Sequence, residues 1–234
     1  MWVSAVLPIL TLIATTGGQA QDGSRPPHPS GGVGEFIHSL VGEWSGTYVE
    51  FTDGLKADDK YFHAVIRQSG YGTYESRFNY YRLDPKTGVP IKVGNSIMTT
   101  KIAPDGTATN SVTGDSQVLI KPDTYKPEQH DLSEVLRVSP AGGLQGMGSG
   151  SINVSGMLLG AGKHGKVGDY RSAWSQSNRV LTITQALNIK FKVLFFSQSF
   201  SIVAKFTARP GSDLAGLMKT AGQDARRASA ASQR

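Results

Sequence analysis

A two-residue alternation of apolar and polar side chains constrains the fold of this chain more than any other feature. It starts at Trp44 and is broken by turn signals such as Asp53-Gly54, Pro104-Asp105-Gly106 and residues 140–143. The side chains of a β-strand point alternately to opposite faces, so each alternating run predicts one strand. The turn signals are roughly 9 to 20 residues apart, which predicts about ten antiparallel strands connected in sequence order.

The edges of such a sheet decide its overall shape. An open meander leaves unpaired backbone groups along two edge strands, and closing it into a barrel removes both edges. A two-sheet sandwich is the alternative, but sandwiches need long connections between sheets, whereas successive hairpins suit a barrel. We therefore predict an all-β fold in which an antiparallel meander closes as a single β-barrel over residues 33–210.

Short helices are predicted on both sides of the barrel. Residues 33–41 place four apolar side chains on one helical face before Gly42 ends the helix, namely Phe36, Ile37, Leu40 and Val41. After Pro210-Gly211, Ser212 is suited to cap a helix with Leu214, Leu217, Met218 and Ala221 on one face. The chain from Gly222 has no bulky apolar residue, so residues 211–234 are predicted to be a short helix and a disordered basic tail.

Two strands show which side chains should face the interior. One face of residues 60–67 carries Phe62, Ala64 and Ile66, and one face of residues 73–82 carries Tyr74, Phe78 and Tyr80. The opposite face of the second strand carries Glu75 and Arg77, which are costly to bury without partners. We therefore expect the aromatic faces to point inward and predict that Phe62, Tyr74, Phe78 and Tyr80 line a ligand pocket.

Residues 181–208 form the most apolar segment, 28 residues without Gly or Pro. This is longer than an ordinary strand, and its β-branched residues disfavour a helix. We predict two or three strands, with a turn near Asn188 or at residues 197–199.

The first 20 residues are typical of an export signal. They carry no charged side chain, and an apolar run of about 12 residues is followed by small residues at Gly18 and Ala20. We expect cleavage after Ala20 and a periplasmic or secreted protein that does not span the membrane, since the run is too short for the roughly 30 Å of a bilayer core. Residues 21–32, rich in Pro and Gly, are predicted to be a disordered linker.

The positive charge is concentrated at the C-terminal end. The net charge is +6, yet residues 1–178 hold 15 basic and 16 acidic residues, whereas residues 179–234 hold nine basic residues and two acidic ones. Contact with an anionic surface, lipid or polysaccharide, is one interpretation, and a solvated end is the other.

No motif predicts a metal, a cofactor or a catalytic residue. Residues 160–167 match part of a phosphate-binding loop, but Val167 replaces the hydroxyl residue and a strand follows instead of a helix. The five histidines have no metal-ligand spacing, and the absence of cysteine excludes disulfides and thiol chemistry. Residues 139–162 carry no charge and suit either a loop over the barrel mouth or strands with close backbone contacts. Export also argues against nucleic acid as a partner.

The segment Gly42-Glu43-Trp44, a Gly-x-Trp that opens the first strand after a short helix, resembles the calycin superfamily of lipocalins and fatty-acid-binding proteins. Gly168-Asp169-Tyr170 is loosely similar to the second lipocalin motif. The resemblance implies that Gly42 and Trp44 close the barrel base and that Arg209 or Arg179 packs on the tryptophan as a cation–π partner. It also implies ligand binding in the lumen. Haem is not expected, because related haem barrels use a late histidine and none follows His164.

The sequence favours an exported, non-enzymatic barrel that binds a small, mostly apolar ligand in its lumen. One alternative is a barrel enzyme, such as an isomerase or cyclase, that uses Glu75, Arg77 or His63 inside the lumen. The other is association with an anionic surface through the basic C-terminal end. The ligand, the oligomeric state and the pathway are not specified by the sequence.

Overall fold

The strands join in sequence order into one closed antiparallel barrel in the computed structural model, which describes residues 32–56, 59–84, 87–115, 126–155, 163–193 and 196–231. The predicted signal peptide and nearly all of the predicted linker lie outside these residues. The described elements are α1 (Gly32–Ser39), β1 (Gly42–Thr52), β2 (Leu55–Lys56), β3 (Lys60–Gly70), β4 (Thr73–Leu83), β5 (Pro90–Ile102), β6 (Ala108–Asp115), β7 (Lys126–Val138), β8 (Leu144–Ser155), β9 (Lys163–Ser177), β10 (Val180–Val193), β11 (Phe196–Pro210) and α2 (Leu214–Ala231).

Strand β1 closes the barrel because it pairs on both sides. Its residues run antiparallel to β3 from Gly42↔Ile66 onward, and antiparallel to β11 from Trp44↔Pro210 to Thr52↔Ile202. The short β2 forms a hairpin with the end of β1 through Asp53 and Gly54. Ten strands therefore form the barrel and β2 is an appendage, which confirms the predicted fold class.

The interior follows the alternation of the strands. Phe62, Ala64 and Ile66 on β3 and Tyr74 and Phe78 on β4 are all less than 9% exposed, as the pattern predicts. On the opposite face of β4, Glu75 and Arg77 form an exposed ion pair, with 2.6 Å between Arg77 Nε and Glu75 Oε1.

Helix α1 closes one end of the barrel, called here the base. Val33, Ile37 and Leu40 are buried against Trp44, whose indole Nε1 donates to the Leu40 carbonyl at 2.8 Å. Gly42 links the helix to β1 with a φ of +138°, a conformation that favours glycine. The buried face of this segment differs in part from the predicted one. Ile37 and Leu40 are buried as predicted, but Val33 is also buried whereas Val41 is 37% exposed.

Arg209 does not reach Trp44. It is exposed on the outer face of β11 opposite Ser45, since its neighbour Ala208 occupies the inward position. Arg179 is also exposed, in the turn between β9 and β10. The cation–π contact that the calycin resemblance implies is therefore not formed, and the Trp44 indole instead donates to the Leu40 carbonyl, just after α1.

Several predicted turns fall inside strands. Residues 181–208 do form two strands, but the register shifts at Asn188/Ile189 without ending β10, and residues 197–199 belong to β11. The connection between these strands is at residues 194–195, outside the described residues. Of the uncharged residues 139–162, residues 144–155 form strand β8, in agreement with the second of the two interpretations given to the stretch, and residues 156–162 lie outside the described residues.

Helix α2 is longer than predicted. Asp213, not Ser212, caps it, because the Asp213 Oδ1 accepts from the Gly216 backbone N at 3.0 Å. The helix contacts β1 and β3, and Met218 is its buried apolar residue. It continues to Ala231, so the segment from Gly222 that was expected to be disordered is helical as far as that residue.

We expect Trp44→Ala to lower the free energy of unfolding by about 3–5 kcal/mol, because it removes a buried indole and its hydrogen bond to Leu40 at the base. Urea denaturation measures this value. Tyr71→Ala, at a side chain that is 73% exposed, is the control and should change stability by about 0.5 kcal/mol or less. A loss of similar size in both variants would contradict the role given to Trp44.

Candidate functional site

A cavity of about 90 Å³ lies inside the barrel. It is lined by residues of the core cluster at the base and by residues of a second buried cluster that includes Leu132, Tyr170 and Ile202. Its walls are mainly apolar, because the inward positions of most strands carry aromatic or aliphatic side chains. Lining residues that illustrate this are Phe78, Met98, Leu132, Ile152, Ile202 and Phe206.

Aromatic rings separate the cavity from the base. The Phe206 ring lies 4.6 Å from that of Tyr48 and 5.5 Å from that of Phe62, measured between centroids. Phe78 and Tyr80 stack nearly parallel at 6.3 Å. A smaller space of about 10 Å³ lies next to Trp44, and Phe206 lines both this space and the main cavity. The main cavity is therefore above Phe206, on the side away from the base.

A buried ion pair lies in the wall of the cavity. Glu50 on β1 and Lys60 on β3 are 1% and 2% exposed, with 3.5 Å between Glu50 Oε2 and Lys60 Nζ. The Tyr48 hydroxyl donates to the same oxygen at 2.5 Å, and Lys60 Nζ lies 5.1 Å from the centroid of the Tyr48 ring. These three residues, Tyr48, Glu50 and Lys60, are called the Glu50 cluster.

The two oxygens of Glu50 have different surroundings. Oε2 receives both the tyrosine hydroxyl and the lysine ammonium, whereas Oε1 is buried and has no hydrogen-bond partner among the described residues. A buried carboxylate oxygen without a donor is costly, so such an atom is uncommon unless another group satisfies it. Glu50 Oε1 is therefore the most unusual polar atom in the cavity wall.

Three tyrosines in the cavity wall remain protonated well above neutral pH. Burial and the neighbouring Glu50 carboxylate raise the pKa of Tyr48. Burial raises the pKa of Tyr80 to about 12, although a hydrogen bond with Ser96 opposes the rise. Burial and the charge of Glu134 raise the pKa of Tyr170, whose hydroxyl accepts from Gln185 at 2.8 Å. Their hydroxyl groups consequently act as hydrogen-bond donors or acceptors, not as anions.

A second buried carboxylate, Glu134 on β7, has both oxygens occupied. Asn110 Nδ2 donates to Oε1 at 2.9 Å, and Ser172 Oγ donates to Oε2 at 2.5 Å. The chain of bonds continues to Thr100 on one side and to the Trp174 indole on the other. We call Thr100, Asn110, Glu134, Ser172 and Trp174 the Glu134 chain.

Glycine at position 146 makes the Glu134 chain fit. Gly146 lies on β8, between β7 and β9, and a Cβ there would collide with the Glu134 carboxylate and the Ser172 hydroxyl. The missing side chain lets a residue of β7 bond directly to one of β9 across the intervening strand. Burial raises the pKa of Glu134, and the hydrogen bonds from Ser172 and Asn110 oppose that rise.

The structure divides the four predicted ligand residues into three groups. Phe78 and Tyr80 line the main cavity. Phe62 lines the small space at the base together with Trp44. Tyr74 lines neither cavity, since it is fully buried in the base core, where its hydroxyl lies 3.3 Å from His38 Nδ1.

Sequence reasoning missed the Glu50 cluster, although the alternation contained a signal for it. Tyr48 and Glu50 have the same parity as Trp44 on β1, and Lys60 has the same parity as Phe62 on β3. The charge of Glu50 and Lys60 argued against an inward position, and their mutual pairing is what makes that position tolerable.

The residues of the enzyme alternative lie outside the lumen. Glu75 and Arg77 pair on the outer face, and His63 faces Glu43 with 3.4 Å between His63 Nε2 and Glu43 Oε2. The basic residues Lys190, Lys205 and Arg209 are exposed on the outer faces of β10 and β11. Within the described residues no group of acidic or histidine side chains is arranged to hold a metal ion, and no helix is long and apolar enough to cross a membrane.

No protein-family model matches the chain, and no curated protein matches it in sequence. The interpretation of the cavity therefore depends on its own geometry and chemistry.

Stability should depend on pH through Glu134. Burial raises its pKa in the folded protein above the ordinary value of about 4.5, so the protonated form is favoured by folding. The contribution is present at low pH and is lost as pH rises from about 4.5 through the raised value. Urea denaturation at several pH values should show wild type losing stability relative to Glu134→Gln as pH increases. The same comparison with Glu75→Gln, on the outer face, is the control, and an identical slope for both variants would contradict this account.

Proposed function

We propose that this protein is an exported, non-enzymatic barrel that binds a small, mostly apolar ligand in its lumen. The observation that carries the proposal is the cavity above Phe206, which combines apolar walls with a few buried polar groups. Binding sites for small molecules generally have this composition, in which apolar surface supplies affinity and isolated polar groups set orientation.

The size of the cavity limits the ligand. Its 90 Å³ is below the roughly 150 Å³ of an engineered apolar cavity that takes up benzene. A ligand that enters without displacing the walls is therefore about as large as a five-membered ring. Larger ligands require side chains such as Phe78 or Met98 to change rotamer.

The calycin-like character of the protein is part of the proposal. In its favour are the closed antiparallel barrel of ten strands, the short helix at its base and the buried Trp44 that opens β1. The missing contact between Trp44 and Arg209 is a departure from that pattern.

Furan, an apolar five-membered ring, is a suitable probe of the cavity. We expect it to shift the methyl NMR signals of Met98 and Leu132, which line the cavity. Ala204→Ile, which adds three carbons at a cavity-lining position, should abolish these shifts by filling the space. Val203→Ile is the matched control, because the neighbouring residue points outward and is 38% exposed. Absence of shifts with both furan and its N–H analogue pyrrole in wild type, or equal shifts in the Ala204→Ile variant, would contradict luminal binding.

Export has a separate test. Residues 1–20 have the composition of a cleavable signal, so the protein recovered from the host's periplasm or medium should begin at Gln21. N-terminal sequencing or intact mass measurement checks this. Recovery of the protein in the cytosol with Met1 retained would refute export and leave the luminal binding proposal standing.

A further inference from the structure

We propose that Glu50 anchors the luminal ligand through Oε1, and that the ligand therefore carries an N–H or O–H donor on its apolar body. The inference rests on the proposed function, since it specifies the chemistry of the ligand that the cavity binds. It starts from a comparison of the two buried carboxylates of the barrel.

Glu134 shows what a purely structural carboxylate looks like in this protein. Each of its oxygens accepts a hydrogen bond from a side chain of the wall, Asn110 on one side and Ser172 on the other. Glu134 does not line the cavity. Its bonding capacity is used in joining β6, β7 and β9, so it has little to offer a ligand.

Glu50 has the same burial but a different bonding pattern. Tyr48 and Lys60 both approach Oε2, although a carboxylate has two equivalent oxygens between which the two donors could be divided. Oε1 has no donor among the described residues, and all three residues of the Glu50 cluster line the cavity. The arrangement holds the carboxylate by one oxygen and leaves the other without a donor among the described residues. Because Oε1 is itself buried, a ligand donor reaches it when a neighbouring side chain of the cavity wall shifts.

The small side chain of Ala204 keeps the space beside Glu50 open. Ala204 is the partner of Glu50 in the pairing of β1 with β11, and Gln185 is the partner of Ala204 in β10. Both residues line the same cavity as Glu50. A ligand lying against Ala204 is consequently next to the carboxylate and within reach of Gln185.

The charge of the cluster selects the ligand group. A carboxylate oxygen only accepts hydrogen bonds, so its partner must be a donor. A second carboxylate or a carbonyl of the ligand would be repelled there. The ligand class that fits is therefore a small ring or short aliphatic body with an amine, pyrrole-type N–H or hydroxyl group.

Pyrrole and furan test the inference in the wild-type protein. They are five-membered aromatic rings of similar size, but pyrrole has an N–H donor and furan has none. A hydrogen bond to a charged acceptor should make pyrrole bind about tenfold more tightly, or better, as measured by calorimetry. Equal affinity would overturn the inference while leaving the proposed function intact, whereas failure of both rings to bind would overturn the proposed function itself.

Glu50→Gln should reverse the preference. Tyr48 and Lys60 are donors, so they retain the amide oxygen at the Oε2 position and direct the NH₂ group to the Oε1 position. Pyrrole should then lose its advantage over furan, and cyclopentanone, which only accepts, should bind more tightly than it does to wild type. Glu75→Gln on the outer face should bind all three probes like wild type. A pyrrole preference that survives in a folded Glu50→Gln variant would overturn the inference, and if that variant does not fold, the wild-type comparison decides.

Discussion

The pairing of β1 with both β3 and β11 is the constraint on which the rest of the structure depends. Every other barrel strand pairs with its neighbours in sequence, and an open meander of this kind would still have two exposed edges. The residue pairs from Trp44↔Pro210 to Thr52↔Ile202 remove those edges and close the sheet around an interior volume. The base, the cavity and the buried carboxylates are all consequences of that closure.

Enclosure changes the energetics of the charged side chains. In an open sheet, Glu50 and Lys60 would exchange hydrogen bonds with water, whereas inside the barrel each depends on the other and on Tyr48. Glu134 faces the same constraint and meets it with Asn110 and Ser172. The two carboxylates thus represent two outcomes of one physical problem. Both oxygens of Glu134 are satisfied by the wall, whereas Glu50 Oε1 has no donor among the described residues.

The sequence was sufficient for the fold and insufficient for the site. Alternation and turn residues predicted the barrel, the inward faces of β3 and β4 and the helix before Trp44, because these depend on local pattern. For the Glu50 cluster, the alternation gives the inward parity of Glu50 and Lys60 but not their mutual pairing, and without that pairing their burial is not expected. The expected contact of Arg209 with Trp44 comes from the family pattern alone. The alternation along β11 places the buried Ala208 inward and therefore places Arg209 outward.

The glycines of β8 have a consequence for the local stability of the barrel. Gly146, Gly148 and Gly150 let neighbouring strands approach closely, but they contribute no side-chain packing and have little intrinsic preference for extended structure. Between its buried end residues Leu144 and Ile152, this strand is therefore held by backbone hydrogen bonds to β7 and β9 and by the Glu134 chain that passes across it. Strand β8 is therefore the part of the wall that we expect to open first in the native state. Its amide hydrogens should exchange faster than those of β1.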